Sequence, residues 1–67
     1  MNYNITFKEI KPLVDEWIEY DQGYKPLLLE LDSQRTSQRL VKYLKDHGIP
    51  CQVKALESGF FLLESYE

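Results

Sequence analysis

Hydrophobic positions change their period several times along the chain, and each change marks an element. From Asn2 to Phe7 the alternation is strict, with Tyr3, Ile5 and Phe7 on one side and Asn2, Asn4 and Thr6 on the other. That period of two predicts a short first strand. Ile10, Leu13, Val14, Trp17 and Ile18 then recur at helical spacing, which predicts an amphipathic helix of about three turns exposing Asp15, Glu16 and Glu19. Pro12 has no amide hydrogen to give, so a start near Glu9 is favoured over one at Thr6, although Thr6 and Glu9 have capping-box spacing. Asp21, Gln22 and Gly23 close this helix. Leu27–Leu31 holds four leucines in five residues, bounded by Pro26 and by Asp32-Ser33. Such a run predicts a central strand covered on at least one face.

A second helix follows, capped by Ser33 or Asp32, with Thr36, Leu40, Val41, Leu44 and the edge of His47 as its buried side. Gly48 stands where a left-handed residue is wanted, Ile49 can fold back on Leu44, and Pro50 forbids continuation. Cys51 to Leu56 alternates again, Glu57-Ser58-Gly59 reads as a hairpin turn, and Phe60 to Tyr66 is the last strand. The order β-α-β-α-β-β implies one α+β domain over residues 1–67. Its expected architecture is a two-layer sandwich with a mixed four-stranded sheet and both helices on one face. The other face is then uncovered. The strands are apolar at both parities (Leu28 against Leu27 and Leu29, Phe60 and Leu62 against Phe61 and Leu63), which favours a homodimer or a protein partner there. The alternative is that strand twist and neighbouring side chains cover it.

Composition narrows the classes. Sixty-seven residues bury only about 60% of the unfolded surface, so stability is thin. Eleven acids against eight bases leave a net charge of −3 with no like-charged run, which makes a nucleic-acid partner unexpected. No basic-then-apolar leader and no membrane-length apolar run is present in the sequence, so a cytoplasmic protein with no membrane role is expected. A single cysteine, Cys51, and a single histidine, His47, exclude an intrachain disulfide and disfavour a structural zinc site. No metal and no cofactor are expected.

Candidate chemistry is sparse. Cys51 is the one possible nucleophile, at the start of a strand with only His47 near enough in sequence to lower its pKa; the alternative role is a small half-buried apolar residue. His47, in the last turn of its helix, suits a cap. One histidine and scattered acids give no hydrolase constellation. Arg35, Arg39 and Lys42 run along one side of the second helix and could meet an acidic partner or a phosphate backbone. The acids of the first helix could equally neutralise them, and without interleaved exposed aromatics the RNA signal is weak. Trp17 falls within the apolar stripe and belongs to the core. Glu30, facing out of the leucine run, marks either a polar contact on the open face or an ordinary solvent position.

With the elements placed, Lys8-Glu9-Ile10-Lys11-Pro12 and the stretch from Gly23 through Leu31-Asp32-Ser33-Gln34-Arg35-Thr36 resemble the TusA/SirA family of small sulfur-carrier proteins. That resemblance implies the β-α-β-α-β-β fold. In the family a Cys-Pro-x-Pro motif opens the first helix; here Glu9 stands in the cysteine's place, Ile10 in that of the first proline, and only Pro12 remains. Glutamate cannot carry a persulfide, so the resemblance implies the fold and a link to sulfur relay, without sulfur transfer at the usual site. The second half, with Ser37 to Leu44 and its Gly48-Ile49 stop, is also similar to the cytoplasmic domains of rhomboid proteases. The function expected is a non-catalytic protein-binding or regulatory module. It would act through the open sheet face and through residues at the two helix starts and beyond: Glu9, Lys11, Pro12, Asp32, Arg35, Thr36, Arg39 and Lys42. Three alternatives stay open: sulfur or thiol transfer on Cys51, a rhomboid-type accessory domain, and an RNA contact through the basic stripe.

Overall fold

The computed structural model describes residues 6–66. Helix α1 spans Phe7–Glu16 and runs on into one wide π-type turn, Trp17–Asp21. Strand β1 is Leu27–Leu31, helix α2 is Gln34–Asp46, and strands β2 and β3 are Gln52–Ala55 and Phe61–Ser65. The sheet has the order β1-β3-β2, and both pairings are antiparallel.

Three expectations are corrected here. The predicted first strand lies outside the described residues except at its end, where Thr6 is a helix N-cap and Phe7 already helical. Thr6 Oγ1 accepts from the Glu9 amide (3.3 Å) and donates to Glu9 Oε1 (3.2 Å), so the capping box sets the helix start and Pro12 sits inside the helix. Pro12 is exposed there, so its ring meets solvent and the helix forgoes one backbone bond. Second, the described sheet has three strands, all antiparallel, where a mixed sheet of four was expected. Third, β1 is an edge of that sheet and β3 is its centre. The leucine run is covered on one face only: Leu27 and Leu31 are buried while Leu28 is 53% exposed.

The second helix ends as its sequence signals. Ser33 Oγ accepts from the Thr36 amide at 3.2 Å. At the other end the Ile49 amide donates to Leu44 and that of Gly48, at φ +72°, to Lys45, both at 2.9 Å. That is the paired-bond stop that a left-handed glycine permits. Ile10, Val14 and Trp17 of the first helix join Leu40 and Leu44 of α2 against Leu27, Leu31 and Leu63. Both helices therefore cover the same face of the sheet. Trp17 Nε1 donates to the Lys25 carbonyl (2.8 Å), tying the loop before β1 to this core.

The β2–β3 turn fixes which backbone groups remain free. The Gly59 amide donates to the Leu56 carbonyl (3.1 Å), Gly59 has φ +92°, and the Leu56 amide donates to the Phe60 carbonyl (2.8 Å). This is a three-residue loop closed by a bulged glycine. Since Leu56 and Phe60 form a bonded pair, alternation makes Lys54–Leu62 and Gln52–Glu64 bonded pairs too. The amides and carbonyls of Val53 and Ala55 therefore point to the outer edge of β2, which has no strand partner among the described residues.

Candidate functional site

Helix α2 has two flanks, and they are built differently. On the side of α1, the Phe7 ring meets Tyr43 edge-on at 5.6 Å, with Arg39 stacked 4.6 Å above Phe7 and His47 tilted 4.5 Å from Tyr43. Tyr43 donates to Asp15, which also pairs with Lys11 at 2.9 Å. The hydrogen bond from Tyr43, then that from Lys11, hold the Asp15 carboxyl below its ordinary range, and the same bond to Asp15 pushes the Tyr43 phenol up. Hydrogen bonding to Asp15 likewise raises the Lys11 ammonium. His47 Nδ1–H donates to the Tyr43 carbonyl (2.8 Å), the role of a helix-end cap.

On the other side, between α2 and the edge of β2 that has no strand partner among the described residues, lies an open groove of about 620 Å³. Val41, Cys51 and Val53 form its apolar floor, and Gln38, Lys42, Lys45, Asp46 and Gln52 line it around them. The Cys51 thiol lies 3.9 Å from the Val41 carbonyl. Burial pushes its pKa up, an effect that Lys45 only partly opposes. Cys51 is thus a neutral, half-buried thiol, a poor nucleophile. Helix α2 carries Arg35, Arg39, Lys42 and Lys45 against a single acid, Asp46, on a chain whose net charge is negative.

The outer face of the sheet is mixed. Its rows read Leu28–Glu64–Gln52 and Glu30–Leu62–Lys54 across the three strands. Glu64, 5% exposed, accepts from Gln52 Nε2 at 2.8 Å and pairs with Lys54 at 3.3 Å. The Gln52 hydrogen bond foremost, with help from Lys54, lowers its pKa. Of the two parities that are both apolar in sequence, Leu29, Phe61 and Leu63 take the helix-covered face, and the open face alternates apolar and polar side chains.

The residues singled out from the sequence are scattered. Glu9 is taken up by the cap and Lys11 by Asp15, and Pro12 is exposed on α1. Asp32 precedes the α2 cap with one buried oxygen that has no hydrogen-bond partner. Thr36 is 8% exposed and packs into the protein. Arg35 is exposed, Arg39 is turned onto Phe7, and Lys42 lies 3.9 Å from Asp46. Among the described residues no ion pair joins the acids of α1 to the stripe: Asp15 is held by Lys11 and Tyr43. Sequence reasoning passed over Lys45 and Val41 as groove residues and over the Gln52–Glu64–Lys54 network. The latter is visible only once strand register is known; Lys11 and Asp15, four apart on one helix, were legible as a pair. No family model, no curated protein and no solved structure matches the chain.

Proposed function

We propose that this chain is a non-catalytic protein-binding module of TusA/SirA-like build, and that its binding site is the groove between α2 and β2. The observation carrying the reading is the pairing of an apolar floor with a free strand edge in one groove, beside a helix rich in cations. Concave sites with apolar floors and a few convergent polar groups are where partners bind. The element order from Phe7 onward agrees with the resemblance, and Glu9 serves as a helix-capping side chain where that family keeps its cysteine. The outer sheet face is the weaker candidate, because its central carboxylate already has its partners and its leucines are separated by polar residues.

Sulfur transfer on Cys51 is not favoured, since a thiol with a raised pKa supplies little thiolate. The test is intact-mass measurement after incubation with a cysteine desulfurase and cysteine. No reducible gain of sulfur is expected. A gain on the wild type that disappears in Cys51→Ser would overturn the non-catalytic reading.

A further inference from the structure

Resting on the reading of the α2–β2 groove as a binding site, we infer that its occupant is an acidic peptide segment in extended conformation, which adds to the sheet as a strand on the outer edge of β2. Three observations converge. The first is the outward backbone of Val53 and Ala55, two residues apart, which presents donors and acceptors at the spacing of a further strand. Main-chain bonds of this kind supply affinity in strand addition, and pockets for alternate side chains supply specificity.

The second is the floor beside that edge. An added strand lies alongside β2 with every other side chain on the helix-covered face, where Val41, Cys51 and Val53 offer apolar contact. The third is charge. Lys42 and Lys45 line the rim, and Lys54, 59% exposed, stands on the opposite face of β2. With an apolar side chain on this floor, the residues next to it turn to the opposite face toward Lys54, and those two away stay on the groove face toward Lys42 and Lys45. Lys42 and Lys54 are each paired with an acid, Asp46 at 3.9 Å and Glu64 at 3.3 Å, whereas Lys45 makes no ion pair among the described residues, so the surplus charge that an added strand meets is positive. The flank of α2 toward α1 has only a smaller cavity of about 200 Å³, lined by Phe7, Arg39, Lys42, Tyr43 and Asp46, with no strand edge beside it.

The probe is a blocked peptide of about seven residues with one central isoleucine and glutamate at the other positions, so that glutamates lie on both faces of the strand, with a lysine-for-glutamate counterpart as control. Affinity is read by titration, and occupancy of the groove by protection of Cys51 from maleimide. Ala55→Pro removes one outward amide while sparing the bonds to β3, and Lys45→Glu reverses a rim charge. The acidic probe is expected to bind and protect Cys51. Binding should weaken about tenfold in Ala55→Pro and several-fold in Lys45→Glu, and the lysine counterpart should bind far less. Protection of Cys51 with full affinity in Ala55→Pro would overturn strand addition and leave the groove as a binding site. Neither binding nor protection would overturn both. A dimer that forms through this edge and excludes the probe would give the edge to a second copy and overturn the peptide assignment.

Discussion

One flank of α2 is bridged to α1, leaving a cavity of about 200 Å³, and the other opens on a groove of about 620 Å³, although both border the same buried row of Leu40 and Leu44, each fully buried. Toward α1, an aromatic stack and the Lys11–Asp15–Tyr43 triad bridge the seam between the helices. Toward β2, the side chains are shorter, namely Val41, Cys51 and Val53, and the space above them stays empty of protein. The contrast shows that α2 needs only one flank to be held in place. The other is left to solvent together with a strand edge, an arrangement that proteins usually blunt with charge or cover. Here the charges are lysines, which discourage pairing with another copy of a cationic edge and invite an acidic segment.

The largest effects come from the row that both flanks share. Leu40→Ala or Leu44→Ala removes a fully buried side chain and should cost about 2–5 kcal/mol. For a domain of this size total stability is on the order of 5 kcal/mol, so little or none of it would remain and the urea midpoint of either variant should move far toward zero. Ser33→Ala, which deletes the cap common to both flanks, should cost about 1 kcal/mol and shift the urea midpoint without changing the slope.

Next comes acid, which acts on the bridged flank. The folded pKa of Asp15 is below its ordinary value of 3.8. Its contribution is therefore present above that value and lost as pH falls through the lower, folded one. Tyr43→Phe removes the first cause of that shift. The variant should be less stable at neutral pH and should lose less of its stability between about pH 5 and 2, measured by thermal unfolding across the range. Glu64, also depressed, acts in the same direction from the sheet's outer face, so the wild-type acid limb is shared and Tyr43→Phe should flatten it only in part.

The smallest effects belong to the open flank. Lys42→Ala breaks a solvent-exposed pair with Asp46 at 3.9 Å and should change stability by less than about 0.5 kcal/mol, while Tyr43→Phe on the bridged flank changes both stability and its pH dependence. If Lys42→Ala were the more damaging of the two, the contrast between the flanks would be wrong.

Much of this was legible in the residues. Ser33, Gly48 and Ile49 announce both ends of α2 because caps are local chemistry, and Gly59 announces the hairpin for the same reason. The stripe of Ile10, Val14 and Trp17 gave the core side of α1. What failed was either a contest between two local signals or a matter of contacts distant in sequence. Pro12 argued for a later start, yet the Thr6–Glu9 box outweighed it because the proline ring could face solvent. The density of leucines placed β1 at the centre, but Phe61–Ser65 pairs on both sides and takes that position. The groove escaped notice because it is formed by Val41 and Val53, ordinary residues whose meaning comes from the free edge beside them.

Amide hydrogen exchange in β2 tests the central claim most directly. With the outer edge of β2 free and able to accept a strand, Val53 and Ala55 should exchange quickly in the unbound protein while Lys54 exchanges slowly, and saturation with the acidic probe should slow Val53 and Ala55 alone. Slow exchange at both residues in the free protein, or rates that the bound probe leaves unchanged, would contradict it.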